Sequence, residues 1–208
     1  MNPVFTILFV LFVVIFTIYV KRWGNHQEEI TNSFWEKERQ ANIVRKQDIS
    51  KLDYITVPKE QLSSKVHSTA ENTFMQAASK KMLNLNGMTN TEVKLAYGTA
   101  NLAELSEYDE AYSEYIASIP AYAQELIDAS YIDAAKEILF FAIKHGADSK
   151  KIYEQLASIY HNEKNFEEIH HLEDYANELS SNKERILSFL DDYLKASAIE
   201  EIVEESNQ

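Results

Sequence analysis

A chain of 208 residues with 45% hydrophobic content and no cysteine has room for one folded domain plus extra segments. It excludes a disulfide framework, cysteine-based zinc sites and thiol catalysis together. The formal charge of −13 is unevenly placed, with 11 basic and 8 acidic side chains in residues 21–81 against 9 and 25 in residues 82–208. That acidic distal part argues against nucleic acid, whose phosphates demand a basic footprint, and the basic stretch suits an anionic membrane surface.

Residues 4–20, VFTILFVLFVVIFTIYV, hold no charge, glycine or proline. As a helix they extend roughly 26 Å, close to the hydrocarbon thickness of a bilayer. Tyr19 and Trp23 stand where interfacial aromatics are expected, and Lys21 and Arg22 close the run. A cleaved signal peptide needs a basic start and small residues before the cut, and neither Met1-Asn2-Pro3 nor YVKRWG supplies them. The run is therefore expected to be an uncleaved transmembrane anchor. Lys21, Arg22, Lys37 and Arg39 follow it, so the positive flank predicts a single-pass cell-membrane protein whose soluble part faces the cytoplasm.

Residues 21–56 are expected to form a helical stem. Ser33 and Glu36 fit a capping box, and Ile30, Phe34, Ala41 and Val44 share one face. That stripe suits a homo-oligomer through a short coiled coil, a lipid-facing helix, or a solvated stem with few apolar contacts. Residues 57–100 then read as a linker with short helices. Pro58 and SSKVHSTAENT mark a loop, Phe74 to Leu83 a helix, NLNGMTN a break, and TEVKLAY a second helix ended by Gly98. From residue 101 to 198 helical signal dominates, and an acidic tail, expected to fray, occupies 199–208. No alternating strand pattern occurs, so the fold class expected is all-α.

Within 101–198 an apolar stripe recurs. Ile119, Tyr122, Ala123 and Leu126 reappear 34 positions later as Tyr153, Leu156, Ala157 and Tyr160, and again as Leu187, Leu190, Asp191 and Leu194. The following helices carry Ile132, Ala135, Leu139 and Ala142, then Phe166, Ile169, Glu173 and Ala176. Small residues there let paired helices approach closely. Pro120 predicts a kink or a helix restart.

Tyr153-x-x-Leu156-Ala157-x-x-Tyr160 followed by Asn165-Phe166, with Ala135 and Ala142 in the preceding unit, resembles the tetratricopeptide repeat family. The likeness covers about residues 116–195. It departs from the family in lacking an opening Trp and a closing Pro, and in carrying Ile169 where a small residue is usual. It implies an array of antiparallel helix pairs closed by a terminal helix, with a groove on the first helices. The groove positions that it implies are Gln124 and Asp128, then Lys151, Glu154, Ser158, His161 and Asn162, then Arg185, Ser188 and Lys195. The whole chain, through FWEKERQAN, RKQDISKLDYI and NLNGMTNTEVKLAYGTANLAELSEYD, also resembles a group of single-span proteins of Gram-positive anaerobic bacteria. That second resemblance implies architecture and supplies no activity.

Catalytic chemistry finds little support. Gly24, Gly87, Gly98 and Gly146 are isolated, so no phosphate-cradling loop exists, and no serine sits in a nucleophile elbow. NFEEIHHLEDY sets Glu167 four residues before His171 and His170 before Glu173 and Asp174, spacings that suit a divalent ion. Adjacent histidines diverge by about 100° on a helix, and a solvated acidic face is the simpler reading. Asp191-Asp192 and Glu200-Glu201 diverge likewise. No cofactor or metal is expected. The function expected is a non-catalytic membrane-anchored scaffold for a protein or peptide partner. A subunit assembled through span and stem is the alternative, and a metal-dependent enzyme the weakest reading.

Overall fold

The apolar run opens a single long helix, and every later element is also helical. The computed structural model describes residues 3–206, with residues 5, 6, 24–26 and 197–206 described by backbone alone. In chain order the helices are α1 (Pro3–Asn42), α2 (Thr69–Ala78), α3 (Asn90–Tyr97), α4 (Leu102–Asp128), α5 (Ile132–Lys144), α6 (Lys150–Asn162), α7 (Phe166–Asn177) and α8 (Lys183–Ser206). Helix makes up 74% of the chain, and no strand occurs among the described residues. Two compact units emerge, Met1–Ile49 with Thr89–Leu102, and Ser50–Met88 with Ala103–Gln208.

In the first unit, α1 is long and apolar enough to cross a membrane, and none of its apolar window is buried within the protein. The stem does not begin as a capped helix of its own. α1 runs unbroken to Asn42, and the Ser33 hydroxyl donates to the Ile30 carbonyl (2.8 Å) as any mid-helix serine can. Residues 43–56, expected to continue the stem helix, are non-helical. Of the expected stripe, Ile30 and Phe34 are exposed and Ala41 is buried. α3 packs near the end of α1. Glu38 pairs with Lys94 and accepts from the Thr91 hydroxyl (2.7 Å), and Thr99 donates to the Ala41 carbonyl (3.1 Å). Thr89 and Glu92 form the capping box that starts α3. Gly98 ends it at φ 88°, where an added Cβ would meet the Arg45 carbonyl at 2.4 Å, so only glycine fits.

The second unit begins at Ser50, inside the expected stem, and takes in residues 57–88 of the stretch expected as a linker. Val57, Phe74, Ala77, Ala78 and Met82 are buried with Tyr115 and Tyr122 of α4 in one apolar cluster. Helix α2 starts five residues before the expected Phe74, because Ser68 caps it by accepting from the Glu71 amide (3.0 Å). Glu71, 1% exposed, explains how the polar SSKVHS segment stays down. It accepts from the amides of Lys65, Val66 and His67, from the Ser64 hydroxyl (2.7 Å) and from the Tyr122 hydroxyl (2.9 Å). Burial alone would raise this carboxyl, but the Lys65 amide, the Ser64 and Tyr122 hydroxyls and the Val66 amide outweigh it and hold the pKa at about 2.

α4 passes through Pro120 without restarting, which corrects one of the two expected outcomes there. Ile119, Tyr122, Ala123 and Leu126 are all fully buried, as are Tyr153, Leu156 and Ala157. The turns repeat as well. Ser130 and Lys164, 34 positions apart, both adopt left-handed φ (64° and 56°). In each turn the next amide reaches back five residues: Tyr131 donates to the Leu126 carbonyl and Asn165 to the Tyr160 carbonyl, both at 2.8 Å. Elsewhere the expected stripe slips. In α7 Leu172 is buried and Glu173 half-buried, and in α8 Ile186 is buried where Leu187 was expected. Asp191 is exposed. The backbone of α8 remains helical to Ser206, through residues expected to fray. The side chains of Ile199, Glu200, Glu201, Ile202 and Val203, and all of residues 207 and 208, lie outside the described residues.

Candidate functional site

Between α4, the start of α5, and α6 lies a groove of about 400 Å³. It exists because α4 and α6 bury their stripes away from it and leave their outer faces uncovered. Five of the ten residues expected for a groove line it: Gln124, Lys151, Glu154, Ser158 and Asn162. Asp128 sits one turn from Gln124 and accepts from its side-chain amide (3.0 Å). His161 is half-buried, its ring packed edge-on against Phe166 and Tyr193 at 5.8 and 5.5 Å. Arg185 and Ser188 line a second depression of about 440 Å³ with Lys150, Phe189, Asp192 and Tyr193. Lys195 is exposed and pairs with Asp191 (2.5 Å).

The groove also uses Ile127, Gln155, Ile159 and Glu163, which sequence reasoning passed over, and Ile132, which it placed in the packing stripe. A four-position stripe assigns one face per helix, yet Ile127 follows Leu126 and Ile159 precedes Tyr160, widening each stripe sideways. That extra breadth was the available signal. Gln155 carried none, since a glutamine among Ile152, Tyr153 and Leu156 reads as the helix's solvent side. It is 5% exposed. Its amide nitrogen donates to the Pro120 carbonyl (2.9 Å) and contacts Gln124 Oε1 at 3.4 Å, while its Oε1 is buried with no hydrogen-bond partner.

The charges along the groove fall into two clusters of opposite net sign. Glu154 bonds Lys150 (2.9 Å) and lies 3.6 Å from Lys151. The Lys150 contact, stronger than the opposing effect of burial, lowers its carboxyl below the usual range, with Lys151 assisting. On the other wall Glu163 pairs with Lys136 (2.7 Å), which also reaches Asp133. That Glu163 hydrogen bond holds the lysine above its usual value against the cost of burial.

The histidine pair separates into two local contacts, His170 with Glu173 (3.2 Å) and His171 with Asp174 (3.6 Å), both exposed. Among the described residues no three potential metal ligands converge. No family model, no curated protein and no solved structure matches the chain. Geometry and chemistry alone therefore carry the functional reading.

Proposed function

We propose that this protein is a membrane-anchored, non-catalytic scaffold whose tetratricopeptide-like array, α4 to α8, captures a protein or peptide partner beside the bilayer. The observation that carries this reading is the groove itself. It is walled by the outer faces of α4 and α6, and it joins an apolar floor to exposed amide and hydroxyl groups. The 34-residue recurrence of the left-handed turns and of the buried stripe supports a repeat array. The uncovered apolar helix supports anchorage, which raises the partner's local concentration without any chemistry. The positive flank after the span favours a cytoplasmic domain.

The test uses the full chain in lipid nanodiscs, because cutting at residue 100 would remove Phe74 and Met82 from the core. Partners captured from membrane extracts by the wild type should be lost with Lys151→Glu and Ser158→Arg, both at exposed positions. Equal capture by both variants would sink the groove. Ile30, Phe34 and Trp35, about half exposed on α1, favour the second reading, assembly through the stem. Partners kept by the groove variants but lost with Phe34→Ser and Trp35→Ser would establish it instead. Orientation is testable without background labelling, since the chain has no cysteine. Asp133→Cys, 94% exposed at its side chain, should resist a membrane-impermeant maleimide in intact cells.

A further inference from the structure

The apolar surface of α1 is not the same all round. Between Ile7 and Trp23 every aromatic residue, Phe9, Phe12, Phe16, Tyr19 and Trp23, follows the one before it by three or four positions. On a helix of 3.6 residues per turn those steps keep all five within an arc of about 80°. Aliphatic Ile7, Val14 and Ile18 take the opposite side. Interfacial preference explains the depth of Tyr19 and Trp23 but not the side they share. Hydrocarbon chains meet a helix equally from every direction, so lipid alone does not sort aromatic from aliphatic residues around it. A neighbouring helix does, because helices in a bilayer associate through side-chain packing.

The arc continues beyond the apolar run. The same stepping by threes and fours reaches Gln27, Ile30 and Phe34, and Ala41 lies seven positions further on. Glu28, Glu29, Asn32 and Glu36 take the other side, so the stem has two faces. The five aromatics are 57–68% exposed and Ile30 and Phe34 about half, whereas Ala41 is fully buried. What covers the arc must therefore be apolar within a bilayer and again in water, along the roughly 38 Å from Phe9 to Phe34.

A second copy of α1 meets both demands. Two copies held by the same end in one membrane run parallel and level, and a two-fold axis sets arc against arc. Ring then faces ring, an arrangement aromatic side chains favour. Gln27, the polar side chain on the arc between Phe9 and Phe34, meets its own counterpart. A carboxamide both donates and accepts, so it pairs with a copy of itself. The glutamates stay in water.

We infer that the protein is a parallel homodimer, joined along the α1 arc from Phe9 to Phe34 through apolar run and stem alike. The inference rests on the anchorage proposed above, and it gives assembly through the stem one partner, a second copy of this chain.

The absence of cysteine makes a single-cysteine scan direct. Full-length variants with one cysteine at each position from 27 to 36 are oxidised in proteoliposomes and in native membranes. A product of twice 24.0 kDa should form readily at Gln27→Cys, Ile30→Cys and Phe34→Cys, and poorly at Glu28→Cys, Asn32→Cys and Glu36→Cys. Those yields should hold in large lipid excess. Phe12→Leu with Phe16→Leu, which keeps the run apolar, should weaken the dimer about tenfold in energy-transfer titrations. Yields without periodicity, yields peaking on the glutamate side, or yields falling in proportion to added lipid would overturn the dimer. In native membranes, a dominant adduct of another mass would overturn the second copy as the partner. Unchanged association of the double leucine variant would overturn the aromatic seam within the run. Carbonate extraction separates this inference from the anchorage beneath it. A resistant but monomeric protein overturns the dimer alone, and an extractable one overturns the anchorage with it.

Discussion

Residues 7–20 of α1 and residues 111–126 of α4 are both rich in large apolar side chains, and the two helices dispose of them in opposite ways. On α1 four consecutive residues, Leu11, Phe12, Val13 and Val14, are 44–63% exposed, so the apolar surface covers the whole circumference. On this stretch of α4 the buried residues are Ala111, Tyr112, Tyr115, Ser118, Ile119, Tyr122, Ala123 and Leu126, which recur once per helical turn on one face, while Glu114 and Gln124 face out. Polar residues such as Glu114, Gln124 and Glu125 interrupt the α4 stretch, whereas residues 7–20 carry no charge. A stripe declares a protein neighbour, whereas the unbroken, uncovered cylinder of α1 is long and apolar enough to cross a membrane.

The contrast breaks most sharply at Phe74, which belongs to the α4 side of it. Phe74→Ala should cost about 3–5 kcal/mol of unfolding free energy in chemical denaturation of the micelle-solubilised protein. A mutant that melts like the wild type would mean that residues 57–88 are not core. The reverse test is Val13→Arg, which should leave that denaturation curve in place. It should instead cost about 2.5–3.5 kcal/mol of membrane insertion and move protein into the carbonate-soluble fraction.

Glu71 comes next. Its folded-state pKa of about 2 lies below the ordinary carboxylate value near 4.3, so its stabilisation is fully present above about pH 5 and fades as pH falls toward 2. The loss amounts to about 3 kcal/mol across that window. Glu71→Gln should flatten this acid limb, and an unchanged acid profile would show the carboxylate to be solvated. Gly98→Ala is expected to cost about 1–3 kcal/mol, confined to the first unit and read as faster amide exchange in α3.

The smallest effect separates two tyrosines of similar burial. Tyr122→Phe removes a hydrogen bond to Glu71 and should destabilise by about 1–3 kcal/mol. Tyr153→Phe removes a buried hydroxyl with no partner, so its unfolding midpoint should stay level or rise slightly.

How much of this was legible in the sequence depended on whether the governing interactions were local. The apolar run and the stripe on α4 and α6 are periodic signals within one helix, and the structure repeats them residue for residue at Ile119, Tyr122, Ala123 and Leu126. The SSKVHSTAENT stretch reads as a loop because its serines, lysine and histidine are polar. What makes it structural is a carboxylate whose most distant partner, Tyr122, lies 51 positions along the chain. Ser33 failed in the other direction, since S-x-x-E inside a continuing helix has no terminus to cap. The candidate site divided likewise. Of the five α6 positions that the tetratricopeptide likeness implied, Lys151, Glu154, Ser158 and Asn162 line the groove and His161 does not, whereas Gln155 needed knowledge of Pro120 on a different helix.

The order in which the chain visits its two units carries a last consequence. It crosses between them after Ile49, returns after Met88, and crosses again after Leu102. Thr89–Leu102 is thus an excursion threaded through the second unit's sequence, and neither unit is complete on a continuous stretch of chain. A ribosome releasing the protein from its amino end would finish the first unit only after all of α2 had been made and before α4 had grown far enough to receive Phe74. A protease cut after Ile49 would leave the second unit whole, yet still held to α1 by the packing of Thr89–Leu102 through Glu38 with Lys94 and Thr99 with the Ala41 carbonyl. Release would then wait on the loss of those contacts.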